Sequence, residues 1–189
     1  MRLNLLNTDE GEMAVRLARG AIEYSIAKKP KPALALTPVF GDKRGIFVTL
    51  TKAGELRGCI GFPYPVIPLG DAIEDAAVAA ATGDPRFPPV RKEELDAIGL
   101  EVTILTVPIP VVGEPGKRSE KVEVGRHGLI VRGRGTSGLL LPQVATEYGW
   151  DSTTFLDHTC SKAGLPERCW TYPNVEVLTF EGQIFTERK

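Results

Sequence analysis

A thiol and a guanidinium stand two residues apart in the hexapeptide Leu56-Arg57-Gly58-Cys59-Ile60-Gly61. In an extended segment alternate side chains share a face. Arg57 and Cys59 are thus expected to point one way, with Cα atoms about 6–7 Å apart, and Leu56, Gly58 and Ile60 the other. A neighbouring guanidinium favours the thiolate, the nucleophilic form of cysteine. It can also hold a carboxylate or phosphate through two parallel hydrogen bonds. One face could therefore offer a nucleophile and an anion clamp together. Gly58 and Gly61 each weaken a strand by roughly 0.5–1 kcal/mol relative to alanine, a cost that suits close approach by a backbone or a ligand. Cysteine is equally a small hydrophobe at home in cores, so simple packing competes with the chemical reading.

Other residues could complete such a site. His127, one of two histidines, lies in the turn Gly125-Arg126-His127-Gly128. It could serve Cys59 as a base or simply face solvent. Arg86, in Asp84-Pro85-Arg86-Phe87, could finish an anion pocket or cap nearby carbonyls. Glu101 falls opposite the Leu100/Val102/Ile104 face of its strand, as wall or as solvated surface. Gln143 could offer an amide at a helix start. Cys59, His127, His158 and Cys160 are metal-ligand types, but His158 and Cys160 are two apart on a helix, about 200° around its axis, so no metal is assigned. H-E-x-x-H and G-x-S-x-G do not occur, and Gly133-Arg134-Gly135 lacks the spacing of a phosphate or dinucleotide loop. The sequence names no cofactor.

The positioning elements follow from periodicity. A helix is expected over 9–27, with Asp9 and Glu12 as a capping box and Pro30 ending it. Strands are expected at 45–51 and 56–61 around the loop Lys52-Ala53-Gly54-Glu55. An Ala-rich helix over 71–82 stops at Gly83. A rigid loop at 84–89, a short helix at 91–95 and a strand at 100–106 come next. Pro108 to Ser119 reads as a connection between lobes. Strands at 121–124, 129–132 and 139–141 are followed by a helix opened by Pro142 and another capped by Asp151 or Ser152. A β-rich stretch at 175–185 ends the chain and is expected to pack back on the larger lobe. Gly45-Ile46-Phe47-Val48 with its hairpin is echoed by Gly128-Leu129-Ile130-Val131 with its own, a faint duplication that matches Arg57 to Leu140 and Cys59 to Pro142.

Bulk properties set the class. The 189 residues are 42% hydrophobic and 25% charged, which is globular composition. A net charge of −1 and a pI near 6.2 give no basic excess for nucleic acid and no polybasic tract for a membrane surface. No apolar run approaches the ~20 residues of a membrane span, and Met1–Asn7 is too short and polar for a secretory leader. Three cysteines, Cys59, Cys160 and Cys169, without a C-x-x-C spacing, suggest reduced thiols in a reducing compartment. The expected location is the cytoplasm.

The hexapeptide resembles that of the AMMECR domain family. The resemblance continues through Asp84-Pro85-Arg86-Phe87-Pro88, Gly125-Arg126-His127-Gly128-Leu129 and Gly138-Leu139-Leu140-Leu141-Pro142-Gln143-Val144-Ala145. It extends through Trp150, Phe155-Leu156 and Cys160 to Lys162-Ala163-Gly164-Leu165. It implies one domain over 1–189, a two-lobed α+β fold with antiparallel-rich or mixed sheets and flanking helices, and an inter-lobe crevice lined by the hexapeptide. Family members often accompany Memo-like and radical-SAM proteins, which implies a shared pathway. This chain has no three-cysteine cluster motif, so any radical chemistry would belong to a partner. Three roles are open: an enzyme with Cys59 as nucleophile acting on a small acidic metabolite or a partner's modified residue, a non-catalytic module binding a small anion or a partner segment, or a tight strand crossing.

Overall fold

The computed structural model describes residues 5–188. Met1–Asn4, the start of the segment read above as too polar for a leader, and Lys189 lie outside it. The chain forms two compact units, one of residues 1–106 with 183–189 and one of residues 107–182.

In the first unit, α1 (Thr8–Ala27) and α2 (Leu69–Thr82) cover a four-stranded sheet of order β2-β1-β3-β8. Its strands are β1 (Ile46–Lys52), β2 (Glu55–Phe62), β3 (Ile98–Leu105) and β8 (Gly182–Thr186). Ile46, Val48 and Leu50 alternate with half-buried neighbours and pair across to Ile104, Val102 and Leu100. All six are buried with Ala14, Ala18 and Ile22 of α1 and Ala72, Ile73, Ala76 and Ala77 of α2. Alanine faces bring the helices close to the sheet. At Gly58 the backbones themselves meet: an added Cβ would sit 2.1 Å from the carbonyl oxygen of Ala80.

Several boundaries differ from expectation for local reasons. The capping box of α1 belongs to Asn7 and Glu10, each side chain accepting from the other's N–H. The helix ends at Lys28 in the left-handed conformation, φ 59°, before the prolines. The first hairpin turns through two residues, Ala53 and Gly54, with φ 51° and 83°. That turn form matches strand twist and is shorter than the expected four-residue loop.

The second unit carries a sheet of order β4-β7-β5-β6. It comprises β4 (Ile109–Pro110), β5 (Gly128–Gly133), β6 (Thr136–Leu140) and β7 (Glu176–Phe180). Its helices are α3 (Pro142–Tyr148) and α4 (Ser152–Lys162), the latter capped by Asp151. Residues 121–124 form no strand. A 3-10 helix over Pro115–Lys121 leads into them, tied by buried Arg118, which donates to the carbonyls of Trp170 and Tyr172, and residues 122–124 continue as irregular backbone and turn. The expectation of three reduced thiols is overturned, because Cys160 and Cys169 form a disulfide joining α4 to the 3-10 turn at Cys169–Thr171. It sits in a core of Leu129, Val131, Phe155, Leu156, Trp170 and Val177.

Each sheet is thus a hairpin whose first strand also pairs with a third antiparallel strand. The likeness is one of topology. Gly138 meets the backbone of Ala163, 2.3 Å from its nitrogen to an added Cβ, and so fills the role of Gly58 in place of Leu141, which the sequence echo aligns with it.

Two outcomes are expected. Gly58→Ala forces α2 off β2 and lowers stability by about 2–3 kcal/mol, measured by denaturant unfolding. Cys160→Ser with Cys169→Ser lowers it by about 2–3 kcal/mol through the entropy of the opened short loop; equal stability with and without reductant would contradict the linkage.

Candidate functional site

Strand β2 lies at the edge of its sheet, so part of its backbone lacks a strand partner. At Cys59 a loop supplies one. Asp84, only 4% exposed, accepts from the Cys59 N–H at 2.9 Å, and Arg86 donates to the Cys59 carbonyl at 3.3 Å. The two loop residues are themselves fastened: Asp84 accepts from the backbone N–H and the Nε of Arg86 at 3.1 and 2.9 Å, and from its Nη2 at 2.6 Å. The Arg86 guanidinium, then the Cys59 N–H, hold the Asp84 carboxyl far below the usual carboxylate range. Asp84 in turn raises Arg86, with a smaller contribution from the charge at Cys59.

The Cys59 side chain is half-buried. It faces Thr49, whose hydroxyl lies 3.3 Å from the sulfur, with either atom able to donate. Thr49 pairs with Cys59 on one side and Glu101 on the other. Cys59, Thr49 and Glu101 thus form a row on the face turned away from the helices, Glu101 roughly 10 Å from Cys59 at two strand spacings.

Arg57 behaves differently. The register of β2 slips between Leu50 and Thr51, which oppose Gly58 and Leu56, so Arg57 is an unpaired bulge residue. A bulge breaks alternation and re-aims the side chain, so the single face expected for Arg57 and Cys59 does not form by pleating. The Arg57 guanidinium runs to Glu94 at 3.3 and 3.1 Å and to the Pro88 carbonyl at 2.9 Å. Glu94 also accepts from Lys52 at 2.8 Å and from the Arg91 N–H at 3.0 Å. Lys52, then Arg57, hold the Glu94 carboxyl down at about 2. The anion that Arg57 grips is therefore an internal one.

The two glycines serve packing. Gly58 faces α2, away from the sulfur, and an added Cβ at Gly61 would meet Ile46 O at 2.3 Å and the Phe47 ring at 2.4 Å. Arg86, 54% exposed at its side chain, is the cation brought to Cys59. Among the described residues none accepts from its Nη1.

His127 and Gln143 belong to the second unit. His127 Nδ1 accepts from the Glu123 N–H at 3.0 Å, so its proton resides on Nε2 in the neutral ring. Burial lowers its pKa, against the opposing pull of Glu123 and Glu181. Gln143 is exposed near the start of α3. Cys160, weighed as a metal ligand, is taken by its disulfide.

Sequence reasoning missed Asp84 and Glu94. Each had a local signal: Asp84 precedes Pro85-Arg86 and closes an Asx turn, and Glu94 stands three residues after Arg91, where a capping carboxylate belongs. Their long-range partners on β2 had none.

Glu94 is more acidic folded than unfolded, so its contribution is complete above the ordinary glutamate range and is lost as pH falls toward about 2. Glu94→Gln should cost about 1–3 kcal/mol at neutral pH by stranding Arg57. It should also flatten the acid-unfolding profile between about pH 4.5 and 2; a profile identical to the parent's would refute the linkage.

The AMMECR1 family matches residues 15–185. A protein of Methanosarcina barkeri is 54% identical over 98% of this chain and 94% of its own length, and one of Methanocaldococcus jannaschii is 50% identical over 98% and 94%. The crystal structure of an uncharacterised protein from Pyrococcus horikoshii superposes with a TM-score of 0.77 at 47% identity, covering 97% of this chain and 94% of that one. No helix among the described residues is long and apolar enough to cross a membrane. The chain belongs to the AMMECR1 family.

Proposed function

We propose that Cys59 is a nucleophile whose position is set by the Asp84–Arg86 loop, acting on a small acidic metabolite or on a modified residue of a partner protein. The observation that carries this reading is the double anchoring of the Cys59 peptide, N–H to Asp84 and carbonyl to Arg86, at a residue that is not fully buried. The anchoring satisfies the edge backbone and at the same time holds the sulfur in a fixed place, which a reacting group requires. The thiol proton passes to solvent, Thr49 can donate to the sulfur, and the thiolate adds to an electrophilic carbonyl carbon, forming the S–C bond as the C=O π pair moves onto the carbonyl oxygen. Arg86, whose Nη1 has no acceptor among the described residues, takes the anion-binding role, since all three guanidinium nitrogens of Arg57 already donate to Glu94 and Pro88.

The alternative is a binding module that works beside Memo-like and radical-SAM proteins without turnover. Iodoacetamide labelling separates the two, since the disulfide leaves Cys59 as the free thiol. Near neutral pH, Cys59 should alkylate about tenfold faster than glutathione, and Arg86→Gln should slow it about three- to tenfold. Labelling no faster than glutathione and indifferent to Arg86 would remove the nucleophile reading. Retention of ligand or partner by Cys59→Ser would then favour the module.

A further inference from the structure

The first unit holds a groove of 660 Å³ along α1, bounded by Pro30 and Pro32 on one side and by Thr186, Glu187 and Arg188 on the other. Its volume is that of a small-molecule site. Gly20 makes one wall rigid: an added Cβ would lie 2.3 Å from the Pro32 ring, so the proline rests directly on the helix.

Nearly every charge in the groove is already matched. Arg19 lies at the floor, forked onto Glu187 and donating to the carbonyls of Leu95 and Ile98 at 3.2 and 2.8 Å. Glu12 pairs with Arg188, and Glu23 with Lys29, each at 3.3 Å. Arg16 is the exception. It lines the groove and is exposed, and among the described residues no carboxylate forms an ion pair with it. The uncharged lining is Val15, Gly20, Pro30, Pro32 and Thr186, apolar except for backbone and the threonine hydroxyl.

We propose that this groove binds a small monoanionic amphiphile, its carboxylate paired with Arg16 and its apolar chain laid along Val15, Pro30 and Pro32. One uncompensated cation selects one negative charge. A dianion would set its second charge beside Glu12 and Glu23, and a cation would find no unmatched partner. The site is independent of the Cys59 face.

The test is an amide chemical-shift titration of the full chain with decanoate, decanol and decyltrimethylammonium, each below its aggregation concentration. Decanoate should saturate shifts in α1 and in Thr186–Arg188, decanol should bind about tenfold more weakly, and the ammonium should not bind. Arg16→Ala should cost decanoate about tenfold and leave decanol unchanged, and Arg16→Glu should transfer preference to the ammonium. Equal affinity for decanoate and decanol, shifts confined to other regions, undiminished decanoate binding by Arg16→Ala, or filling of the groove by a second copy of the chain would each overturn the proposal.

Discussion

A peptide group at a sheet edge has a donor and an acceptor that the sheet does not satisfy, and the arrangement around Cys59 follows from that constraint. At this one residue the chain supplies a carboxylate for the N–H and a guanidinium for the carbonyl, and the two are locked to each other. The pair works like a single rigid bracket in place of a neighbouring strand. Asp84 is buried and ionised because Arg86 makes that state the favourable one, which links the backbone position of Cys59 to the charge of a side chain that is itself half in water.

The bracket also decides which cation accompanies the sulfur. Arg57, two residues away in sequence, is diverted by the bulge to Glu94 and Pro88. Arg86, distant in sequence, is delivered by the loop. A pair of carboxylates, Asp84 and Glu94, thus sorts two arginines into different tasks: one fixes the strand beside the thiol, the other fastens the strand to the 3-10 helix at Lys92–Ala97.

Much of the architecture was legible in the sequence. The β-branched and aromatic run at 45–51 marked β1, Gly58 marked a close approach, and Asp151 or Ser152 marked the start of α4. Hairpins and helices are written in local patterns of period two and period 3.6, and those patterns survive folding. The site was legible only in part. Cys59 and Arg86 were named, but strict alternation assigned Arg57 to the sulfur's face. A bulge depends on how two strands meet and leaves no mark on either one. The Cys160–Cys169 disulfide was equally silent, because nothing local says that the end of α4 will face the turn after it. Asp84 and Glu94 were missed although each had a local signal toward Arg86 and Arg91, and their partners on β2 arise from the tertiary path.

The route of the chain has a further meaning. The first sheet is completed by β8, which emerges only after the whole second unit. During synthesis the outer edge of β3 must therefore stand unpaired while residues 107–182 are made, a period in which an open strand can recruit a stranger. Leu6 and Gln183 then join the opening and closing segments of the first unit through paired amide bonds, so a segment made after the second unit closes the unit that began before it.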